Sequence, residues 1–186
     1  VVPAALTVLH AVLPQVEIVR AEAGWQTFQQ TGTALPPATL DCARDCQAVL
    51  FGAVSSPLQK VAGYRSPIVQ LRRELGCYAN IRPTLTLPLA GCRPGVDLII
   101  VRENTEDLYV GEEQSDGNVA VAIKRISREA SLRVARRAFE LARRNGRQRM
   151  TVIHKANIMP LTDGLFRDCA REVARDYPEI IVDEQL

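Results

Sequence analysis

The 186-residue chain has no apolar run long enough to cross a membrane and no N-terminal pattern of a secretory signal, so the expectation is a cytoplasmic protein without a membrane partner. Its five cysteines (Cys42, Cys46, Cys77, Cys92 and Cys169) are odd in number, and none stands in Cys-x-x-Cys spacing. That pattern supports neither a disulfide framework nor a zinc site. Cys42 and Cys46 lie i, i+4 on an expected helix, where two neutral core thiols are a better reading than a metal pair. Aromatic residues make up only 5% of the chain, and none alternate with its arginines, which argues against a nucleic-acid surface. No Gly-x-Gly-x-x-Gly follows a strand, so the usual dinucleotide fingerprint is missing. Repeats and low-complexity segments are missing too.

What is present reads as an ordinary globular α/β chain. Its 47% hydrophobic and 24% charged residues fit that class, and a net charge of +2 gives no reason to invoke an anionic polymer. The length suits one domain or two small ones. Helices are expected from Pro3 to about Leu13, from Pro37 to Asp45, from Ser66 onward, from Arg128 to Arg144 and from Thr162 to Tyr177. Strands are expected at 16–21, 48–51, 78–87, 97–101, 150–153 and 180–182, with parallel pairing inferred. The 52–64 stretch reads as a loop. The segment 107–123, with Asp116-Gly117 between two short β-like runs, suits a β-arm with a turn. Ala135, Ala138, Phe139 and Ala142 form a core stripe, and the arginines 133, 136, 137, 143, 144, 147 and 149 are assigned to the opposite, solvated side.

Three clusters carry the chemistry. In the first, the strand Asp97-Leu98-Ile99-Ile100-Val101 runs into Arg102-Glu103-Asn104-Thr105-Glu106-Asp107-Leu108-Tyr109. A guanidinium at a strand end binds a carboxylate through two parallel hydrogen bonds, and a nearby tyrosine is a proton donor. In the second, Ser66 and Pro67 are good N-cap and first-turn residues, and Ile68, Leu71 and Leu75 make one buried face. Arg72 falls beside that face, whereas Arg73 and Glu74 point to solvent; Tyr78-Ala79-Asn80-Ile81-Arg82-Pro83 follows. In the third, His154-Lys155-Ala156-Asn157-Ile158-Met159 follows a strand. A lysine desolvated at such a strand end is a general-base candidate.

Together these strings resemble one family, the metal-dependent β-decarboxylating dehydrogenases that act on isocitrate, 3-isopropylmalate, homoisocitrate and tartrate. Ala21-Glu22-Ala23-Gly24-Trp25 and the run from Ser66 to Glu74 look most like the homoisocitrate branch; isocitrate enzymes carry asparagine in the place of Ile68. The resemblance implies a two-domain isocitrate/isopropylmalate dehydrogenase-like fold without a classical Rossmann motif. Residues 1–77 would be part of the large domain and 78–186 part of the small domain. The arm at about 107–123 would clasp a second subunit, giving a homodimer or higher homo-oligomer.

The resemblance also implies roles. Arg72, Arg82 and Arg102 would hold the substrate's carboxylates, with Ser56 and Ser66 at its variable arm. Lys155, from the neighbouring subunit, would take the hydroxyl proton, and Tyr109 would protonate the enolate. Asn157 would contact substrate and nicotinamide, with Ser56 also near the cofactor. The cofactors would be NAD (or NADP) and Mg2+ or Mn2+. Relatives have a first strand and a Gly-Asp-Gly loop ahead of the residues seen here, and metal-binding aspartates where this sequence would continue past Leu186. The chain is therefore expected to be an interior portion of the enzyme, with no metal ligand of its own. Three readings follow: an NAD-dependent homoisocitrate dehydrogenase of lysine biosynthesis (the α-aminoadipate route), an isocitrate or 3-isopropylmalate dehydrogenase, or an inactive fragment that only binds carboxylates or dimerises.

Overall fold

The computed structural model describes residues 2–59 and 61–186; Lys60, within the loop expected at 52–64, lies outside the described residues. The chain divides into two compact units, Val1–Gly76 and Cys77–Leu186.

The first unit is helical among its described residues: α1 (Val2–Val12), α2 (Trp25–Thr31), α3 (Pro37–Asp45) and α4 (Pro67–Glu74). α3 and α4 each begin with a proline in the first turn, where its missing N–H costs nothing. Ser66 occupies the N-cap of α4, but its hydroxyl makes no capping bond there. α2 was not expected, because its Gln- and Thr-rich sequence shows no apolar period. It is bounded instead by glycines: Gly24 at φ 113° and Gly32 in the left-handed region. A Cβ on Gly24 would also lie 3.1 Å from a Val54 methyl, so the positive φ and the tight approach both favour glycine. Trp25 stacks on Phe28 at 5.5 Å, and Tyr64 meets both rings edge-on. Ala34, Leu35, Pro67 and Leu71 are buried.

The strands expected at 16–21 and 48–51 do not form. A strand exists only by pairing, and no ladder occurs among the described residues of this unit.

In the second unit, β1 (Ala79–Leu85) and β2 (Asp97–Glu103) pair antiparallel, and the Pro/Gly-rich connection between them is tied by Thr86 to Val96. β3 (Glu113–Ser115) and β4 (Ala120–Ala122) form the β-arm. Asp116 accepts the N–H groups of Asn118 and Val119 at its turn, with Gly117 at φ 93°. The first half of the predicted arm is different: residues 108–110 form a 3₁₀ turn, not a strand. α5 (Arg128–Arg144) spans the residues expected; the Ser127 side chain caps its start, which sequence reasoning had not singled out, and Asn145-Gly146 follows its end. β5 (Arg149–Ile153), α6 (Thr162–Ala174) and β6 (Ile181–Gln185) form a parallel β-α-β unit. Among the described residues the inferred parallel pairing therefore holds only here, and the two other ladders are antiparallel. Phe139, fully buried, lies at the centre of a core with Ala135, Ala142, Val152, Ala170, Val173 and Ile180.

α6 ends three residues early, so that Tyr177 can turn back to pack on Phe139 at 5.0 Å. Several of the arginines assigned to solvent also have specific partners, Arg137 pairing with Glu140 and Arg149 with Asp183 among them. Arg133 lies over the Tyr78 ring at 4.2 Å and pairs with Glu103. Arg143 covers Tyr177 and binds Glu179, and Arg147 forks onto Asp97. Their long stems and planar heads cover apolar surface while keeping a charged partner.

Candidate functional site

The β1–β2 register decides which side chains share a face. Asn80 lies opposite Arg102 and Arg82 opposite Ile100. Side chains two apart on a strand, and those directly opposite, point the same way. Asn80, Arg82 and Arg102 therefore occupy one face, with the two guanidiniums diagonal across the ladder. The other face carries Ile81, Ile99 and Val101, each of them half-buried. Arg82 donates Nε–H to Asn80 Oδ1 at 2.9 Å, and Arg102 donates to the buried Asn104 at 3.2 Å. Both arginine side chains remain exposed beyond those bonds. The Arg102 guanidinium stands 5.4 Å from the Tyr109 ring centre. Two forked cations and a phenol thus share one edge of this unit, a donor set suited to carboxylates.

The acids between Arg102 and Tyr109 shape this edge. Glu103 accepts the Thr105 N–H, the Thr105 hydroxyl and the Glu106 N–H, which closes the turn after β2. Glu106 accepts the N–H and hydroxyl of Ser127, fastening that turn to the start of α5. Asp107 sits at φ 62° and ψ −138°, a conformation few non-glycine residues adopt, and caps the 3₁₀ turn by accepting the Leu108 N–H. Tyr109 is the middle residue of that turn. Sequence reasoning saw three charges here; the folded chain uses all three to set the conformation.

Lys155 and Asn157 sit just past the C-terminal end of β5, where parallel α/β sheets bind ligands. The β5–α6 connection contains no glycine, so the loop is held by side chains. His154 is buried; its Nδ1 accepts the Ala156 N–H and its Nε2 faces Glu184 at 3.3 Å. The tautomer is therefore Nε2–H. Glu184 is held below the ordinary glutamate range first by Arg171 and then, against burial, by His154. The Lys155 N–H donates to Asp163 Oδ1 at 2.8 Å. The Lys155 side chain is exposed, and no hydrogen bond or ion pair among the described residues uses its ammonium. The desolvation expected of a general base is not supplied among the described residues. Asn157 is exposed as well.

Among the described residues a lysine withdrawn from solvent is Lys124, which sequence reasoning missed. Its Nζ lies 2.6 Å from Asp163 Oδ2 and 3.8 Å from Asp107 Oδ1. Burial alone would raise the Asp163 pKa. Lys124 and the Lys155 N–H outweigh that and hold it below the ordinary aspartate value. The only sequence signal was an acid in the first turn of α6, a position that favours negative charge.

In the first unit, Arg72 is half-buried beside the buried Leu71 while Arg73 and Glu74 are exposed, as expected. Ser66 is half-buried. Ser56 is exposed, its hydroxyl 3.4 Å from the Tyr64 oxygen.

The residues present do not fit a divalent metal. Among the described residues no group of three or more His, Cys, Asp or Glu side chains converges as such an ion requires. All five cysteines are free thiols, and burial raises the pKa of Cys46 and Cys169. No helix among the described residues is long and apolar enough to cross a membrane.

The isocitrate/isopropylmalate dehydrogenase family model matches residues 1–186. The chain is 49% identical to an isocitrate/homoisocitrate dehydrogenase of Thermus thermophilus, over 98% of this chain and 56% of that protein. It is also 49% identical to a 3-isopropylmalate dehydrogenase of Archaeoglobus fulgidus, over 97% of this chain and 54% of that protein. The crystal structure of isocitrate dehydrogenase from Methylococcus capsulatus superposes with a TM-score of 0.90 at 39% identity, covering 99% of this chain and 56% of that one. The chain thus spans about half the length of the curated relatives it matches.

Proposed function

The chain belongs to the isocitrate/isopropylmalate dehydrogenase family, and on that footing we propose that the whole protein oxidises a 2-hydroxy acid with NAD and releases its β-carboxyl group as carbon dioxide. The observation that carries this reading is the shared face of Arg82 and Arg102 with Tyr109 beside it. Two guanidiniums bind two carboxylates of a substrate, and Arg72 is a third cation for a tricarboxylate. The phenol beside them is assigned as the donor that protonates carbon once carbon dioxide has left.

The chemistry assigned to this chain's residues is proton handling. Lys155, supplied by a partner subunit, accepts the hydroxyl proton as hydride passes to the nicotinamide. The bond to the β-carboxyl group breaks, and its electron pair forms the enolate. Tyr109 gives that enolate a proton on carbon. Ser56 and Ser66 contact the substrate's variable arm, and Asn157 contacts substrate and nicotinamide. The dinucleotide is NAD, with NADP as the alternative. A divalent metal belongs to the expectation for the whole enzyme, but no step is assigned through it, because the residues present do not form its site. The working protein is a cytoplasmic homodimer clasped by the β-arm.

Homoisocitrate is the preferred substrate, converted to 2-oxoadipate in lysine biosynthesis. Ile68 supports this choice: it offers methyl groups where the isocitrate branch offers an amide, which suits a longer arm. An isocitrate or 3-isopropylmalate preference is the second reading, supported by the equal identity to relatives of both kinds. The test is kcat/KM for the full-length enzyme on homoisocitrate, isocitrate and 3-isopropylmalate. Homoisocitrate should lead. Discrimination by one methylene is about 10–200-fold, so some turnover of isocitrate is compatible with the assignment. A lead for 3-isopropylmalate would move the protein to that branch, and turnover of none would remove the reading.

A further inference from the structure

Resting on that reading, we propose that Lys124 is a positioning residue that sets the two proton-handling segments of each subunit together. Lys124 lies at the end of the β-arm, two residues after β4, and belongs to neither segment. Its ammonium nevertheless joins both. On one side it pairs at 2.6 Å with Asp163, whose other oxygen accepts the Lys155 N–H. On the other it lies 3.8 Å from Asp107, whose same oxygen caps the turn that carries Tyr109. Thr162 adds its hydroxyl to Asp163 at 3.3 Å, and the Asp107 N–H donates to the Arg125 carbonyl at 2.8 Å.

The arrangement is costly unless it is satisfied. Lys124 keeps 22% of its side-chain exposure and Asp163 only 12%. Removing the cation leaves a desolvated carboxylate without its counter-charge, so the carboxylate must move toward water or take up a proton. Either change disturbs the acceptor that holds the Lys155 backbone. Asp107 loses its cation at the same time, while its positive φ needs support from its surroundings. Both segments should therefore loosen together. If each site takes its lysine from the neighbouring subunit, Tyr109 serves one site and Lys155 the other. Lys124 then ties together, through one chain, a residue from each of two sites.

Two readouts test this in the full-length enzyme, comparing wild type with Lys124→Met, Lys124→Gln and Lys124→Arg. The first is hydrogen exchange resolved to single amides. Lys124→Met and Lys124→Gln should lose protection at both the Lys155 and Leu108 amides while the α5 core amides around Phe139 stay protected. Lys124→Arg should keep both. The second is steady-state kinetics. Misplacing both segments should lower kcat on the order of 10–10²-fold with KM little changed, and Lys124→Arg should restore most of it. Wild-type protection at either amide in both neutral variants, or an unchanged kcat, would overturn the proposal. A wild-type enzyme that oxidises no 2-hydroxy acid would instead sink the functional reading, and the exchange result would still decide whether Lys124 sets both segments.

Discussion

Glu106 accepts both the backbone N–H and the hydroxyl of Ser127, at 2.7 and 2.6 Å. The same hydroxyl accepts the Ala130 N–H, so one carboxylate orders the cap of α5 and the turn after β2 at once. Glu106→Ala should cost about 1–3 kcal/mol, because it leaves the Ser127 donors unpaired. Ser127→Ala should cost on the order of 0.5–2 kcal/mol as a lost cap. The residues share one network, so the double variant should be less destabilised than the sum. Urea denaturation of the three variants checks this; simple additivity would mean that the contact is not coupled.

Phe139 is completely buried between α5, β5 and α6, with the Tyr177 ring against it. Phe139→Ala should destabilise the protein by about 3–5 kcal/mol through a core cavity. Phe139→Leu, which keeps more of the volume, should cost clearly less. Thermal and chemical unfolding of both variants give the comparison, and equal losses would show that packing at this point is not what the alanine removes.

Asp163 sets a pH dependence with a definite sign. Its folded pKa is depressed, so the stability it contributes is present above the unfolded aspartate value, about 3.9, and is lost as pH falls through the folded value. Asp163→Asn, which cannot titrate, should therefore lose less stability than wild type between about pH 5 and pH 2. Denaturation midpoints across that range measure the difference. Parallel curves would mean that Lys124 does not hold this carboxylate in solution.

The two helices with strong punctuation were legible in the sequence to the residue. α3 was expected from Pro37 to Asp45 and α5 from Arg128 to Arg144 around its apolar stripe, and both form over those residues. The site strings were legible as strings: Arg82, Arg102 and Tyr109 do share an edge of one unit. What could not be read was anything that depends on a distant partner. Val16–Ala21 and Ala48–Phe51 have β-like composition but find no ladder among the described residues. α2 is set by two positive-φ glycines rather than by a period. Glu103, Glu106 and Asp107 looked like solvated charge or chemistry, and became turn-forming acceptors only once Ser127 and the loop backbone came within reach. Arg133 was placed on a solvated helix face, yet Tyr78 and Glu103 claim it. Lys124 itself carried no signal, and the first-turn acid of α6 did not point to it, because its two carboxylates lie 17 and 39 positions away in the chain.

Lys155 and Tyr109 should fail at different steps. Lys155→Met should abolish oxidation of the hydroxy acid in the full-length enzyme, since no base remains for its proton. Tyr109→Phe should leave binding largely intact and slow protonation after decarboxylation, on the order of 10²–10⁴-fold. Binding of the substrate by titration and turnover by dinucleotide reduction separate the two; near-normal turnover of Lys155→Met would remove it from the mechanism.

Tyr109 and Lys155 are assigned as the proton-handling pair of a site shared between two subunits, and mixing the two impaired variants tests that assignment. A dimer of one Lys155→Met and one Tyr109→Phe subunit has one site with both residues intact and one with neither. If subunits exchange freely, an equal mixture should regain about a quarter of wild-type activity, because half of its dimers are mixed and each of those has one working site. An equal mixture that gains no activity, although mass spectrometry shows mixed dimers, would mean that Tyr109 and Lys155 of different subunits do not serve one site.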